Sequence, residues 1–390
     1  MKKLFWIALF VLFLIISFSL GSFYGQKNVS DKYGDVDLGP LWEAWDILED
    51  RYVPSNDSAL KETEVSNEDK VYGAIRGLAA AYEDPYTSFF PPEENEIFES
   101  DIQGEFSGIG IEIGTIDGLL TVISPLKGTP ADLAGLEAED IIAEIDGVES
   151  SSISPSLAAQ RIRGERGTEV VLGIVRAGES SILQVPIVRD TIQIPTIKTE
   201  IVDDVFVIEF YTFNALATEK FIEAIVEFSD SGLRDLVIDV RGNPGGFLSS
   251  AVDIGSLFVE KDKVIVTEDY GDNRPQNVRV SKGLATIAPG VDIAVLIDTG
   301  SASASEILAG ALRDYDRATL IGTNTFGKGS VQELVNITND TALKVTIARW
   351  ILPLGEQISN EGIAPDVEVE DDPETEEDEV LLEAIKVLTQ

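Results

Sequence analysis

The chain has 390 residues, with 69 acidic side chains against 29 Lys and Arg for a formal net charge of −40, and 44% apolar residues, enough for two or three domains with sizeable cores. It contains no cysteine and no histidine, which excludes disulfides, thiol catalysis, Cys-ligated metals, Ser-His-Asp triads and HExxH zinc sites. A surface this acidic repels phosphate backbones, so nucleic acid is not an expected partner, and a hydrolase built from this chain takes its base from lysine, a carboxylate or a bound metal.

Residues 4–25, LFWIALFVLFLIISFSLGSFYG, carry no charge and follow Lys2 and Lys3. The stretch is long enough to span a bilayer, and the positive-inside rule places the body outside the cytoplasm. No A-x-A site follows, so residues 1–26 are expected to be an uncleaved single-pass anchor in the cell membrane, with a cleaved signal peptide as the alternative. Residues 27–40 read as a polar linker. Leu41, Trp45, Leu48 and Tyr52 recur at helical spacing, and a second helical pattern runs over 71–84 to Asp84-Pro85. These form a helical N-terminal module over 27–100. A helical pair that cannot bury its faces alone is expected to pack on the body or on a second copy of the chain, giving a homodimer.

Residues 101–190 change character. GEFSGIGIEIG and LLTVISP alternate like strands, TPADLAGL is a short helix with Thr129 as N-cap and Pro130 at its first position, and EDIIAEIDGVES is a strand that turns at Asp146-Gly147. SPSLAAQRIRG reads as a second helix, and TEVVLGIVRAG and SILQVPIVR as closing strands, which together make a small barrel. Over 191–370 strands alternate with helices: VFVIEF (205–210), a helix over 215–228, LVIDV (236–240), a helix from Leu248, DIAVLID (292–298), a helix over 303–315 and strands from Thr341. That order predicts an α/β domain. Residues 371–390 add an acidic linker and a short amphipathic helix.

Chemistry concentrates at GSASASEILAGAL, where a buried strand turns sharply into a helix. A serine at that turn lies beside free backbone N–H groups able to stabilise an oxyanion. Ser303-Ala-Ser-Glu306 is equally an S-x-x-E capping box, which needs no catalysis. Lys328 stands between glycines in TFGKGSV. It can act as a base only if burial lowers its pKa from roughly 10.4 to about 7–8, a cost of about 4 kcal/mol. Gln332, four residues on in a strand-like run, returns to the same face and can hold the lysine amine. Residues 322–328 match the GxxxxGK half of a P-loop, but Gly329 replaces the magnesium-binding Ser/Thr and no helix follows. Ser58-Ala-Leu-Lys61 matches S-x-x-K without its partner motifs. The loop Arg241-Gly-Asn-Pro-Gly-Gly246 after a buried strand offers further N–H groups to an oxyanion.

SASASEILAGAL, FGKGSVQ and the upstream DVRGNPGG together resemble the C-terminal processing peptidases, the tail-specific Ser–Lys proteases. The likeness extends to EDPYTSFFPPEE, to FSGIGIEI with GTPADLAGLEAEDIIAEIDG, which resemble that family's PDZ domain, and to PLGEQISNEGIAPDVEV. It implies an α/β core of the crotonase/ClpP-like kind with an inserted PDZ domain and the helical N-terminal module. In that family the middle serine of SASAS, here Ser303, is the nucleophile; the FGKG lysine, Lys328, is the base; and Gln332 assists it. The oxyanion hole would combine the Ala304 N–H with that of Gly245 or Gly246. No metal, nucleotide or other cofactor is implied. The PDZ loop Gly108-Ile109-Gly110-Ile111 would capture the terminal carboxylate of protein substrates with apolar C-termini. Arg163, in the RIRG segment, is a candidate for coupling peptide binding to the active site. The expected activity is extracytoplasmic endoproteolysis through an acyl-enzyme; the alternative is a PDZ scaffold that binds C-termini without cleaving them.

Overall fold

The structure, a computed structural model, describes residues 36–53 and 65–389 except 117, 127, 151, 152, 154, 180, 194, 272, 273, 285–289, 359, 360, 372–374 and 376; of the first 35 residues it describes 6, 10 and 13–18. The expected membrane span falls largely outside the described residues, and the S-x-x-K match at Ser58–Lys61 falls wholly outside them. Among the described residues no helix is long and apolar enough to cross a membrane.

Two compact units divide the chain after Asn67. The first holds helix α1 (Gly39–Arg51), which starts with a proline in its first turn and buries none of its residues. The second opens with α2 (Asn67–Ala80), so the two helices expected as one module belong to different units. Strand β1 (Ser88–Phe90) and helix α3 (Pro92–Gln103) follow.

Strand β2 (Glu105–Gly108) enters a small sheet domain. Its sheet runs β3 (Ile111–Ile116), β4 (Leu119–Pro125), β5 (Ile141–Ile145), β7 (Glu169–Val175) and β8 (Leu183–Val188), with β6 (Val148–Glu149) paired to β5. Helices α4 (Pro130–Leu133) and α5 (Pro155–Ile162) complete it around Val122, Ile142, Leu172 and Ile174. The expected turn at Asp146-Gly147 has positive φ at both residues, 51° and 74°, the geometry that a two-residue hairpin loop demands. On leaving, strand β9 (Asp190–Gln193) pairs antiparallel with β2, Glu105 opposite Gln193 and Gly108 opposite Asp190. Entry and exit strands thus form a two-stranded neck, which is how a domain of this size is inserted without breaking the core around it.

The core sheet has the order β10 (Ile197–Val202), β11 (Val205–Phe210), β12 (Asp235–Asp239), β15 (Asp292–Ile297), β16 (Thr319–Gly322) and β19 (Val367–Glu368). All neighbours from β11 onward are parallel. A parallel sheet covered on both faces needs apolar runs rather than alternation, and VFVI, LVI and IAVLI supply them. Within each run parity divides the faces. Phe206, Ile208, Leu236, Ile238, Ile293 and Val295 pack under α6 (Ala217–Ser231), α7 (Leu248–Gly255) and α8 (Ala304–Asp314). Val205, Val207, Val237, Ala294 and Leu296 face Val380, Ala384 and Ile385 of the C-terminal helix α9 (Glu379–Leu388). A second sheet joins β1, β13 (Val264–Asp269), β14 (Asn277–Val280), β17 (Ser330–Asn336) and the long β18 (Ala342–Ile351), which pairs with β1, β13 and β17. Of these, the sequence pattern marks only the region of β17 and β18 as strand.

Candidate active site

Strands β12, β15 and β16 are consecutive parallel neighbours, Asp239 opposite Leu296 and Leu296 opposite Ile321. Their C-terminal ends therefore open side by side, where open α/β sheets place ligands. After β12 comes Arg241–Phe247, after β15 the turn to Ser303, and after β16 the loop to Lys328. Three motifs far apart in sequence meet because three adjacent strands end there.

The turn after β15 is tied down by its own polar groups. One oxygen of Asp298 accepts from the N–H groups of Gly242, Gly300 and Ser301 at 2.8, 2.9 and 3.0 Å, joining two of the loops. The three serines then separate by what they touch. Ser301 Oγ donates to the Val240 carbonyl at 2.7 Å and Ser305 Oγ to that of Asn243 at 2.9 Å, both from fully buried positions. Ser303 instead caps α8 with φ at +56°, a left-handed conformation costly for a side-chain-bearing residue, and lines the cleft.

Glu306 does more than complete the capping box. It is fully buried, and its carboxylate accepts from Ser303 N at 2.8 Å, Lys328 N at 3.0 Å, Gly327 N at 2.8 Å and Thr325 Oγ1 at 2.7 Å. One side chain thereby fixes the backbone of Ser303 to that of Lys328. Such charge-assisted bonds are the strong ones, and four of them satisfy a buried carboxylate. The sequence alone shows only the helix cap in this residue.

Lys328 is half-buried in the cleft wall, its ammonium 5.6 Å from the Tyr86 ring centroid. Burial pulls its pKa below the ordinary lysine value, neighbouring Lys344 adds to that, and Glu306 opposes it. Its side chain makes no hydrogen bond to Ser303 or to Gln332. The expected Gln332 contact is not formed: its amide donates to Ser330 Oγ at 2.8 Å and to the Ser330 carbonyl at 3.1 Å. Lys328 lies before β17 begins at Ser330, with the Gly329 N–H bonded to the Gly327 carbonyl, so the even alternation on which that expectation relied does not reach it. Both residues nonetheless line one cavity of about 760 Å³ with Ser303. As expected, Lys328 leads into strand β17, with no helix to cradle a phosphate.

The glycine loop separates its two candidates. Gly245, at φ +95°, lies so close to the serine turn that a Cβ there would stand 2.6 Å from the Ala302 oxygen and 2.9 Å from Ala304 N, but its N–H donates to Asn243 Oδ1 at 2.9 Å. Gly246 pairs with Phe213, whose hydrogen bonds use the carbonyl of Gly245 and the N–H of Phe247. Among the described residues the N–H of Gly246 has no acceptor, and that of Ala304, first in α8, has none within its helix. Arg241 anchors the base of this loop: it pairs with Asp239 at 2.7 Å and with Asp378, the N-cap of α9, at 2.7 Å. No sequence pattern points to that link.

In the inserted domain, Gly108, Ile109 and Gly110 are buried and Ile111 begins β3. Thr129 stands at the N-cap of α4, but its hydroxyl donates to the carbonyls of Leu126 and Gly110, at 2.6 and 3.0 Å, and accepts from no N–H of its own helix. The second bond holds the glycine loop by the Gly110 carbonyl, and the N–H groups of Ile109 and Gly110 have no acceptor among the described residues. Arg163 follows α5, its backbone N–H bonded to Ala159.

Comparison with known proteins agrees with this architecture. Residues 204–369 match the model of peptidase family S41, and residues 121–176 that of the PDZ domain. The chain is 33% identical to the carboxy-terminal processing protease CtpA of Bacillus subtilis (strain 168) over 375 residues, 94% of this chain and 77% of that protein. It is 31% identical over 324 residues to a probable CtpA-like serine protease of Staphylococcus saprophyticus, covering 83% of this chain and 65% of that protein. Among solved structures, the photosystem II D1 C-terminal processing protease superposes with a TM-score of 0.53 at 28% identity, over 90% of this chain and 96% of that one. The chain belongs to the carboxy-terminal processing serine peptidases of family S41 and carries their PDZ domain.

Proposed function

We propose that this peptidase works through Ser303 and Lys328. Neutral Lys328 takes the hydroxyl proton as Ser303 Oγ attacks the scissile carbonyl, and the N–H groups of Ala304 and Gly246 receive the developing oxyanion. Lys328 then protonates the leaving amine, and water hydrolyses the acyl-enzyme by the same route in reverse. Gln332 orients the amine once its amide leaves Ser330. The observation that carries this reading is that Ser301 and Ser305 are bonded to backbone carbonyls, whereas Ser303 shares a cavity with a desolvated lysine. Ser303→Ala should abolish cleavage of an unfolded substrate with an apolar C-terminus; turnover at the parental rate would sink the assignment.

The same reading makes the enzyme an extracytoplasmic endopeptidase that engages protein C-termini through Gly108–Ile111, anchored by residues 1–26 and paired as a homodimer. Support for pairing is that α1 buries none of its residues and exposes Leu41, Trp42, Ile47 and Leu48. Sedimentation of the body without its first 26 residues should give twice the monomer mass, and fractionation of cells should find the full chain with membranes. Arg163 couples the PDZ domain to the core in this scheme. Arg163→Ala should lower peptide-stimulated cleavage severalfold, and a variant with both basal and stimulated rates intact would remove it from the scheme.

A further inference from the structure

The catalytic scheme uses one of the two uncommitted lysines in the cleft. The other, Lys344 of β18, lines the same cavity as Ser303 and Lys328. Its ammonium stands 5.3 Å from the ring centroid of Phe90 and 5.7 Å from that of Phe98. Among the described residues it has no hydrogen bond and no ion pair. Burial pulls its pKa down and Asp84 opposes that, but Asp84 is already engaged by Thr87 Oγ1 at 2.5 Å and Tyr86 N at 3.1 Å. Two aromatic faces compensate part of the desolvation of such an ammonium; without a counterion the rest stays uncompensated.

The remaining charges on the cavity wall point the same way. Arg279 is paired with Glu268 at 2.9 Å, and Lys282 with Asp253. Among the described lining residues Asp253 is the one carboxylate, against the cations Arg279, Lys282 and Lys344 and the amine of Lys328. In a chain of net charge −40 this cavity has the opposite sign to the molecule around it. A cleft lined by one sign of charge concentrates ligands of the other.

We propose that Lys344 binds a carboxylate of the polypeptide being cleaved, supplied by an acidic side chain near the cut or by the free chain terminus. This rests on the Ser303–Lys328 reading, since the cavity is that site. The test uses the full chain and fluorogenic peptides of one sequence that differ by Glu against Gln near the cut and by a free against an amidated terminus. Lys344→Met should raise KM for the carboxylate-bearing member of a pair about tenfold relative to its neutral partner, and Lys344→Arg should restore most of the ratio. The pair that responds identifies the source of the carboxylate, because the PDZ loop is the same in every variant. Equal KM shifts within both pairs would overturn the proposal. So would a displaced pH profile of kcat with unchanged KM ratios, which would make Lys344 a tuner of Lys328. Binding of the same peptides to Ser303→Ala, read by anisotropy, separates the two claims. Lys344-dependent binding without turnover by the parent chain would contradict the Ser–Lys reading and leave the carboxylate site standing.

Discussion

The loops that carry Ser303 and Lys328 are bound to one another through Glu306, whose carboxylate accepts four hydrogen bonds. The side chains of Ser303, Lys328 and Gln332, which line one cavity, form none among themselves. The difference separates two tasks of an active site. A buried carboxylate with several donors fixes main-chain geometry at every moment, while the hydroxyl and the amine stay unbonded to each other. Bonding the reactive groups to each other at rest would instead stabilise the ground state as much as the transition state.

The comparison predicts different failures for the two regions. Ser303→Ala should remove about 10⁴-fold or more of kcat and cost only about 1 kcal/mol of stability, the loss of a helix cap. Glu306→Gln should act on both. A carboxamide has one acceptor oxygen, and its NH₂ would face main-chain donors, so we expect a loss of about 3 kcal/mol of stability by denaturant titration together with a large fall in kcat. If Glu306→Gln melts like the parent, Glu306 is not the clamp described. Gly245→Ala places a methyl 2.6 Å from the Ala302 oxygen at φ +95° and should cost about 1–3 kcal/mol, with kcat reduced up to about 10²-fold by displacement of the serine turn. Lys328→Met should abolish turnover yet stabilise the fold at neutral pH. A lysine whose folded pKa lies below its unfolded one carries its full cost when both states are protonated. That cost disappears as pH rises from the folded value to the ordinary 10.5. Parent and variant melting temperatures should converge across that window, and a gap independent of pH would contradict the desolvation of Lys328.

Much of the frame is readable in the sequence because it rests on local pattern. Apolar runs such as DIAVLI mark sheet strands buried on both faces, and Asp146-Gly147 marks a hairpin. SASAS with FGKG carries the likeness to the family. The features that stay hidden depend on contacts across the fold. The capping box at Ser303 can be read in the sequence, but the three further donors to Glu306 come from residues 325, 327 and 328. The choice among three serines needs the carbonyls of Val240 and Asn243, which lie far upstream. Parity places Gln332 beside Lys328 only if the strand reaches back to the lysine, and β17 begins at Ser330. Arg241 meets Asp378 only because α9 covers the back of the core sheet, and Lys344 reads in sequence as an ordinary strand residue.

The Ser303–Lys328 pairing can be probed by the pH dependence of labelling with a serine-reactive phosphonate, with the modified residue located by peptide mass spectrometry. Modification should fall on Ser303, at a rate that rises through an apparent pKa below 10.5 and falls by orders of magnitude in Lys328→Ala. Modification elsewhere, or an equal rate in Lys328→Ala, would contradict it.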